Sequence, residues 1–563
     1  MAAKHLVVIG GSAAGPKAAA KARRLDPHAE ITIVQQSPDL SMASCGYPYY
    51  VGGCFDDRNE LLCTPTGVVR DAKFYANAKG IRALVRTRAT SIDRKGHQVT
   101  CQDLGTGETL VLPYDKLVLA TGATAVRPPV PGVELEGVTT LQSMQDADYL
   151  RRLRDEGRIR RAVVVGGGLI GVETCEALQL AGIGVTVVEM LPQILGFLDA
   201  ELAALVRNHM LAKGAGVRTG EAVTAFVGTE GRLTGVALGN GEVLPCELAV
   251  VAVGVRPNSE LAQAAGLPVG QRGGVLVNEY LQTADADIYA AGDCIEVLHL
   301  ISGARVHAPL GDLANLQGRV AAQNAMEGNH ARFPGTLQTG VCKVFAYAAG
   351  STGLNERQAA AAGFATVSML TAGPDKPGYM GANPLIIKMV AEQGTGRLLG
   401  VQCVGPGDAS KRLAAAAMAL HGRLTVTDLT VADLPYAPPF SPAIDNLIVA
   451  AHALENKMAG RLTGIAAAEV KRKVEAGEDL LLLDVRGQDE YELMRLGLGE
   501  VLIPLGALRR RLGELPADKG KEIICFCKIS LRGYEAATLL QAHGWTNVKV
   551  LEGGLAAWPY PRG

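Results

Sequence analysis

Aromatic residues make up only 4% of this 563-residue chain. That scarcity argues against a surface built to stack nucleic-acid bases. Neither charge prevails: 55 Lys and Arg stand against 56 Asp and Glu, a net charge of −1. No global field therefore steers the protein toward nucleic acid or an anionic membrane, and neither partner is expected. No apolar run approaches the ~18 residues of a membrane-spanning helix. The first apolar stretch, Leu6–Ile9, is too short for the core of a signal peptide. The 11 cysteines are odd in number and irregularly spaced, which argues against a disulfide framework and for a reducing, cytoplasmic setting. No metal site is expected.

The chain is rich in apolar residues, 48% of the total, and in glycine, with 68 residues. Its length corresponds to roughly three to four domains at ~150 residues each. Two segments share one pattern. Leu6-Val-Val-Ile-Gly10-Gly11-Ser12-Ala-Ala-Gly15 leads into an Ala/Lys/Arg-rich helix to Leu25 and a strand Ile31–Val34. Ala162-Val-Val-Val-Gly166-Gly-Gly168-Leu-Ile-Gly171 leads into a helix through Leu180 and a strand Val185–Glu189. Each predicts a βαβ unit whose glycine turn permits close backbone approach to a pyrophosphate at a helix N-terminus. One such turn is also an ordinary tight connection; two in the same context point to two dinucleotides. Glu189, ending its strand, suits a ribose 2′-OH and opposes a 2′-phosphate, so NADH is expected over NADPH. Gln35, at the matching place in the first unit, offers a neutral amide for a ribose.

The segment Ser41-Met-Ala-Ser-Cys45-Gly-Tyr-Pro-Tyr-Tyr50 follows the first unit. Strand C-termini in such sheets face the bound ligand, which places Cys45 near it. The next cysteine, Cys54, lies beyond Pro48 and two glycines, so Cys45 forms its disulfide, persulfide or sulfenate with an external partner. Lys17, Lys21 and Arg24 fall at i, i+4 and i+7 on one helix face.

These motifs, with Ala120-Thr121-Gly122-Ala123, Ala252–Asn258 and Ile288-Tyr-Ala-Ala-Gly-Asp293, resemble the two-dinucleotide-binding flavoprotein disulfide reductases. The resemblance implies FAD near Thr121, Gly122 and Asp293, and Glu173 near the nicotinamide. Cys45-Gly-Tyr-Pro-Tyr and Leu434-Pro-Tyr436-Ala-Pro-Pro-Phe-Ser441 resemble the branch containing CoA-disulfide reductases and NADH-dependent persulfide or polysulfide reductases. There Tyr436 and a tyrosine matching Tyr379 reach the partner subunit's cysteine, which implies a homodimer with shared sites. Positions matching Lys17, Lys21, Arg24 and Ser41 hold coenzyme A phosphates. Ile444 stands where that branch usually has lysine.

The C-terminal part resembles rhodanese: Asp484-Val-Arg486 with Glu490, an active loop Cys527-Lys-Ile-Ser-Leu-Arg532, and Leu551-Glu-Gly-Gly554 with Trp558. A loop from strand to helix turns its N–H groups inward as an anion nest for a thiolate or persulfide, assisted by Arg532 or Lys528. Ser530 stands where many rhodaneses have glycine. Cys525, two residues back, reads as core filling rather than a resolving thiol.

The expected fold is α/β, with two Rossmann-like domains, an α+β dimerisation domain and an α/β rhodanese domain. The expected boundaries are FAD domain 1–112 and 251–328, NADH domain 113–250, dimerisation domain 329–452, linker 453–463 and rhodanese domain 464–563. The expected activity passes hydride from NADH through FAD to a persulfide or polysulfide at Cys45, releasing sulfide, with Cys527 handling sulfane sulfur. The acceptors in question are CoA persulfide, glutathione persulfide, polysulfide and CoA disulfide. Three alternatives stand beside it: a CoA-disulfide reductase, an NADH oxidase or peroxidase acting through a Cys45 sulfenate, and a non-catalytic sulfur or redox sensor.

Overall fold

Leu6–Ile9 carries no polar alternation, as a strand covered on both faces requires, and all four residues are buried. They lie in β1 (His5–Ile9), followed by α1 (Ala14–Leu25) and β2 (Glu30–Val34). The second unit repeats this with β3 (Arg161–Val165), α2 (Leu169–Leu180) and β4 (Gly184–Glu189). The computed structural model describes residues 4–563 and groups them into two compact units. One comprises residues up to Pro192 with Arg218–Gln338; the other comprises Gln193–Val217 with Thr339–Gly563.

In the first unit β1 pairs in parallel with β2 on one side and with Lys116–Leu119 on the other. The sheet order is Ile288–Ala290, Lys116–Leu119, β1, β2, Arg82–Leu84. The strand Ile288–Ala290 thus returns to the first sheet after the whole second βαβ unit, as a split FAD domain requires. In the second sheet β3 pairs in parallel with β4 and with Leu248–Val251. Both glycine turns open at the C-terminal ends of these sheets.

In the second unit a five-stranded antiparallel sheet runs Gly340–Val344, Tyr347–Gly353, Leu398–Gly405, Pro384–Glu392 and, at its edge, β5 (Thr366–Pro374). Helix α3 (Asn446–Met458) packs on β5. A second sheet, parallel throughout its paired strands, runs Gly464–Ile465, Val548–Leu551, Glu522–Phe526, Leu480–Asp484 and Val501–Leu502. Its central part is β6 (Glu522–Phe526), α4 (Leu531–Ala542) and β7 (Val548–Leu551).

Two of the expected bounds differ from the elements and units of the structure. Residues 193–217, assigned from sequence to the NADH domain, group with the second unit. The helix Ala200–Ala212 packs on the antiparallel sheet, and an ion-pair cluster joins the segment to it. Lys388, 4% exposed within the antiparallel sheet, pairs with Asp199 at 3.1 Å, Glu201 at 2.5 Å and Glu356 at 2.5 Å. A buried ammonium of this kind has to be met by anions. Secondly, α3 continues to Met458, so the first six residues of the expected linker 453–463 are helical.

Among the described residues no helix is long and apolar enough to cross a membrane. Among them, too, no group of His, Cys, Asp and Glu is arranged to hold a metal ion, and all eleven cysteines are free.

Candidate functional site

The two glycine turns are near copies. A Cβ on Gly10 would land on the carbonyl of Ala120, and one on Gly166 on that of Ala252. Both residues sit at positive φ, +114° and +108°, the region glycine tolerates. A Cβ on Gly15 would strike the carbonyl of Gly10, and one on Gly171 the carbonyl of Gly166. These contacts press each helix N-terminus onto its strand end. Gly168, the N-cap of α2, faces open space, and Ser12 before α1 is exposed. Each turn therefore leaves backbone N–H groups bare toward a pyrophosphate, and the residues present fit two dinucleotides.

The strand-end residues serve the turns as well. Gly167 N–H donates to Glu189 Oε2 at 2.7 Å, and Leu191 N–H to Oε1 at 2.8 Å. Glu189 stays half-buried, and its remaining lone pairs are available to a ribose. Gln35 differs from its sequence expectation. Its Oε1 accepts Gly11 N–H at 2.9 Å, while Nε2 donates to Ser37 Oγ and Asp39 O. The amide is buried and turned into the loop, so it braces the turn rather than presenting itself to a ribose. Thr121 Oγ1 donates to Asn258 O at 2.6 Å and Asn258 Nδ2 to Thr121 O at 2.9 Å. Gly122 follows at φ +70°. Asp293, after the strand Ile288–Ala290, is held above the usual carboxylate range by burial, and its carbonyl meets His307 Nε2 at 2.8 Å.

Cys45 occupies the 3-10 turn Ser44–Gly46, which runs directly into the short helix Tyr47–Gly52. It is exposed. A Cβ on Gly311 would stand 3.6 Å from its sulfur, so the glycine keeps that side open. Arginines from the helix Met144–Asp155 hold the far end of Tyr47–Gly52: Arg151 donates to Tyr50 O and Arg154 to Val51 O. Partial burial, then the charges of Glu173 and Asp293, push the Cys45 thiol up from its ordinary value. Glu173 on α2 accepts from Tyr49 Oη at 3.2 Å. Burial raises its carboxyl to about 7, which places its proton exchange near neutral pH.

Beside Cys45 a cavity of about 570 Å³ opens between α1 and the helix Gly311–Glu327. Ser12, Ser41, Met42 and Ala43 line it, and its cations are Lys17, Arg24, Arg70, Lys79 and Arg319, with no carboxylate in the lining. The chemistry is that of a polyanion site whose wall ends two residues before Cys45. Lys21, expected on the same helix face, does not line it. Sequence reasoning does not find Arg70, Lys79 and Arg319, because their convergence depends on three separated segments. Ser41 takes φ +54° and is fixed by donating its N–H to Gly11 O at 2.7 Å, which ties the cavity floor to the first glycine turn.

In the second unit Tyr379 and Tyr436 are 77% and 53% exposed, with Phe440 and Ile444 also exposed nearby in sequence. In the C-terminal sheet Cys527 follows β6 and is buried, as is Cys525. Ser530 adopts φ +76° at the N-cap of α4. A side chain there costs about 1 kcal/mol relative to glycine, and the Ser530 hydroxyl's bond to Leu551 O at 2.9 Å offsets it. Arg532 forks onto Glu490 at 2.6 and 2.7 Å. That bond holds the Glu490 carboxyl down to about 2, and the guanidinium also meets Cys527. Arg486, ion-paired with buried Asp484 at 2.6 Å, donates to Glu490 O and Met494 O. Asp484, Arg486 and Glu490 thus form a train that fixes Arg532 at the cysteine, whereas Lys528 points to solvent.

Comparison with known proteins gives three matches along the chain. The family described as pyridine nucleotide-disulphide oxidoreductase matches residues 4–308, its dimerisation domain residues 339–448, and a rhodanese-like domain residues 466–559. An NAD(P)H coenzyme A polysulfide/persulfide reductase of Pyrococcus horikoshii is 34% identical over 457 residues, covering 80% of this chain and 98% of the relative. The structure of an NAD-dependent persulfide reductase from A. fulgidus superposes with a TM-score of 0.94 at 41% identity, covering 98% of this chain and all of that one. A reduced CoADR-RHD from Bacillus anthracis superposes with a TM-score of 0.92 at 35% identity, covering 99% and 98%.

Proposed function

Because the chain belongs to the pyridine nucleotide-disulphide oxidoreductases, a family that works with FAD and NAD(P)H, we propose that it is an NADH-dependent persulfide or polysulfide reductase with a coenzyme A-bearing substrate. The observation that carries this reading is the cavity of five cations and no carboxylate ending beside Cys45. Three phosphate groups and a long arm ending in sulfur suit such a cavity. The relatives' names, persulfide and polysulfide reductase, agree with it. The overall reaction is NADH + H⁺ + R–S–SH → NAD⁺ + R–SH + H₂S.

Bound FAD would supply the two-electron relay between nicotinamide and sulfur. The chain's own residues do the rest. Lys17, Arg24 and Ser41 hold the phosphates, joined by Arg70, Lys79 and Arg319. Cys45 forms the external disulfide or persulfide, having no near cysteine partner. Glu173, whose carboxyl burial raises to about 7, exchanges a proton near it. Tyr379 and Tyr436, exposed in the dimerisation domain, act on the partner's cysteine in a homodimer, where a phenol suits protonation of a departing thiolate. Cys527, gripped by Arg532, receives or delivers sulfane sulfur. The free cysteines suit a reducing cytoplasm.

Steady-state NADH oxidation with CoA persulfide, glutathione persulfide, polysulfide and CoA disulfide, with sulfide measured, tests this. Highest kcat/KM with CoA persulfide, with one sulfide per NADH, is expected. Preference for CoA disulfide without sulfide release would replace the reading with the CoA-disulfide reductase.

The coenzyme preference follows from Glu189. A 2′-phosphate would meet a carboxylate already fixed by two N–H groups, with no adjacent cation in Met190–Gln193. NADH is expected to exceed NADPH in kcat/KM by at least about tenfold, and Glu189→Gln to shrink that ratio, since one unit-charge contact is worth on the order of 1–4 kcal/mol near a surface. An unchanged ratio in the variant would remove Glu189 from coenzyme selection.

A further inference from the structure

The segment after β7 carries the floor of the Cys527 loop. Leu551 O accepts Ser530 Oγ at 2.9 Å, Leu555 N–H donates to Cys527 O at 3.0 Å, and Ala556 N–H donates to Lys528 O at 2.9 Å. Gly554 lies so close beneath that a Cβ would strike Cys527 O. A shift of residues 551–556 therefore moves the cysteine and the αL serine together.

The same segment is held from outside the rhodanese domain. Glu552, buried, accepts Lys457 Nζ at 2.6 Å through Oε1 and Leu370 N–H at 3.1 Å through Oε2. Lys457 lies in the last turn of α3 and is itself anchored, donating to Ser368 O at 2.8 Å. Leu370 belongs to β5, the edge strand whose outward N–H needs a partner. Gly553 packs on the Leu370 side chain, with a Cβ placed at 3.3 Å from it. A buried carboxylate with a single cation and one amide as its outside partners is a directional contact rather than general adhesion.

We propose that Lys457, in the last turn of the helix that packs on the antiparallel sheet, is a positioning residue for the sulfur-transfer cysteine, acting through Glu552 to set the Cys527 loop. The proposal rests on the sulfur-handling role proposed for Cys527 and adds a control from outside the rhodanese fold. The segment Glu455–Thr463 is then more than a spacer. Its helical first half delivers the lysine, so the domain is docked rather than tethered.

The test uses the full-length FAD-bound protein carrying Lys457→Met, Lys457→Arg or Glu552→Gln, with Asn208→Ala as control. Asn208 Nδ2 donates to Pro559 O at 2.6 Å; it joins the same domain to the same unit without bonding to residues 551–556. Two quantities are read: alkylation of Cys527 by iodoacetamide, followed on its peptide by mass spectrometry, and sulfur transfer from thiosulfate to cyanide. Lys457→Met and Glu552→Gln are expected to change the Cys527 alkylation rate at least about fivefold and lower kcat of sulfur transfer by as much. Lys457→Arg should restore most of both, and Asn208→Ala should leave both as in wild type. Reduction of CoA disulfide by NADH should not change in any of the four.

Wild-type rates in Lys457→Met and Glu552→Gln would overturn the proposal even if the melting temperature fell, since the contact would then only bind the domains together. Equal losses in Asn208→Ala would overturn it too, by making docking in general the cause. Absence of Cys527-dependent sulfur transfer in the wild type would instead sink the role of Cys527, and the alkylation rates would still decide whether Lys457 sets the loop.

Discussion

Cys45→Ser is expected to abolish acceptor-dependent NADH oxidation, lowering kcat by at least about a thousandfold, while FAD stays bound. The size follows from the loss of a group that forms a covalent bond in turnover, where single removals cost several orders of magnitude. No other cysteine stands in. Cys54 lies beyond the helix Tyr47–Gly52, Cys63 donates to Gly67 O, and the remaining cysteines outside this segment are buried. The substitution itself is mild. Cys45 is exposed on its turn, its helix is held by Arg151 and Arg154, and the Gly311 side is open, so serine fits without displacing a neighbour. The glycine turns that cradle the dinucleotides do not depend on it. The measurement is steady-state NADH oxidation with each acceptor, beside the flavin absorbance spectrum of the purified variant. Turnover within tenfold of wild type with FAD retained would mean that sulfur is reduced without a Cys45 intermediate. Residual oxygen consumption in the variant would separate this outcome from direct oxidase chemistry.

What is legible in the sequence is local. Gly10, Gly15, Gly166 and Gly171 announce their turns because the steric demand is met within a few residues of each. Cys45 is legible by its place after β2 and by the absence of a near partner cysteine. The Cys527 loop is legible for the same reason: six successive residues carry it. The misreadings lie where one position has two possible partners. Gln35 suits a ribose by its place at the strand end, yet its amide satisfies Gly11 and the loop instead. Lys21 obeys helical spacing but falls outside the cavity wall, which the neighbouring helix defines. Arg70, Lys79 and Arg319 come from separated segments, and no spacing rule joins them. Lys457 and Glu552 stand 95 positions apart, and their ion pair depends on how the rhodanese sheet lies against β5. Such long-range pairings are set by packing, and a single sequence holds no local signal for them.

Cys527→Ser is expected to divide the acceptors. With polysulfide or thiosulfate as the sulfur source in the presence of CoA, sulfide release should fall by at least about a hundredfold, because the sulfur proposed to accept sulfane sulfur is gone. With preformed CoA persulfide, which enters the cationic cavity directly, NADH oxidation should stay within about twofold of wild type. The structural basis is that the two cysteines sit in separate surroundings. Cys45 has the polyanion cavity beside it; Cys527 is buried beneath a loop whose contacts, Arg532 on Glu490 and Ser530 on Leu551, belong wholly to the rhodanese domain. Arg532→Ala should act in the same direction and more weakly, because it loses the cation but keeps the sulfur. It also frees Glu490, whose carboxyl is held down to about 2 by that arginine. Docking of the rhodanese domain through Lys457 and Glu552 argues against a loosely tethered domain delivering sulfur by diffusion. On the proposed reading, a small thiol such as CoA carries sulfur between the two cysteines. Omitting CoA should accordingly reproduce the Cys527→Ser phenotype in the wild-type protein with polysulfide, and leave the variant no worse. Equal rates of wild type, Cys527→Ser and Arg532→Ala on every donor would make the rhodanese domain a bystander, and the plain CoA-disulfide reductase would then describe the chain better.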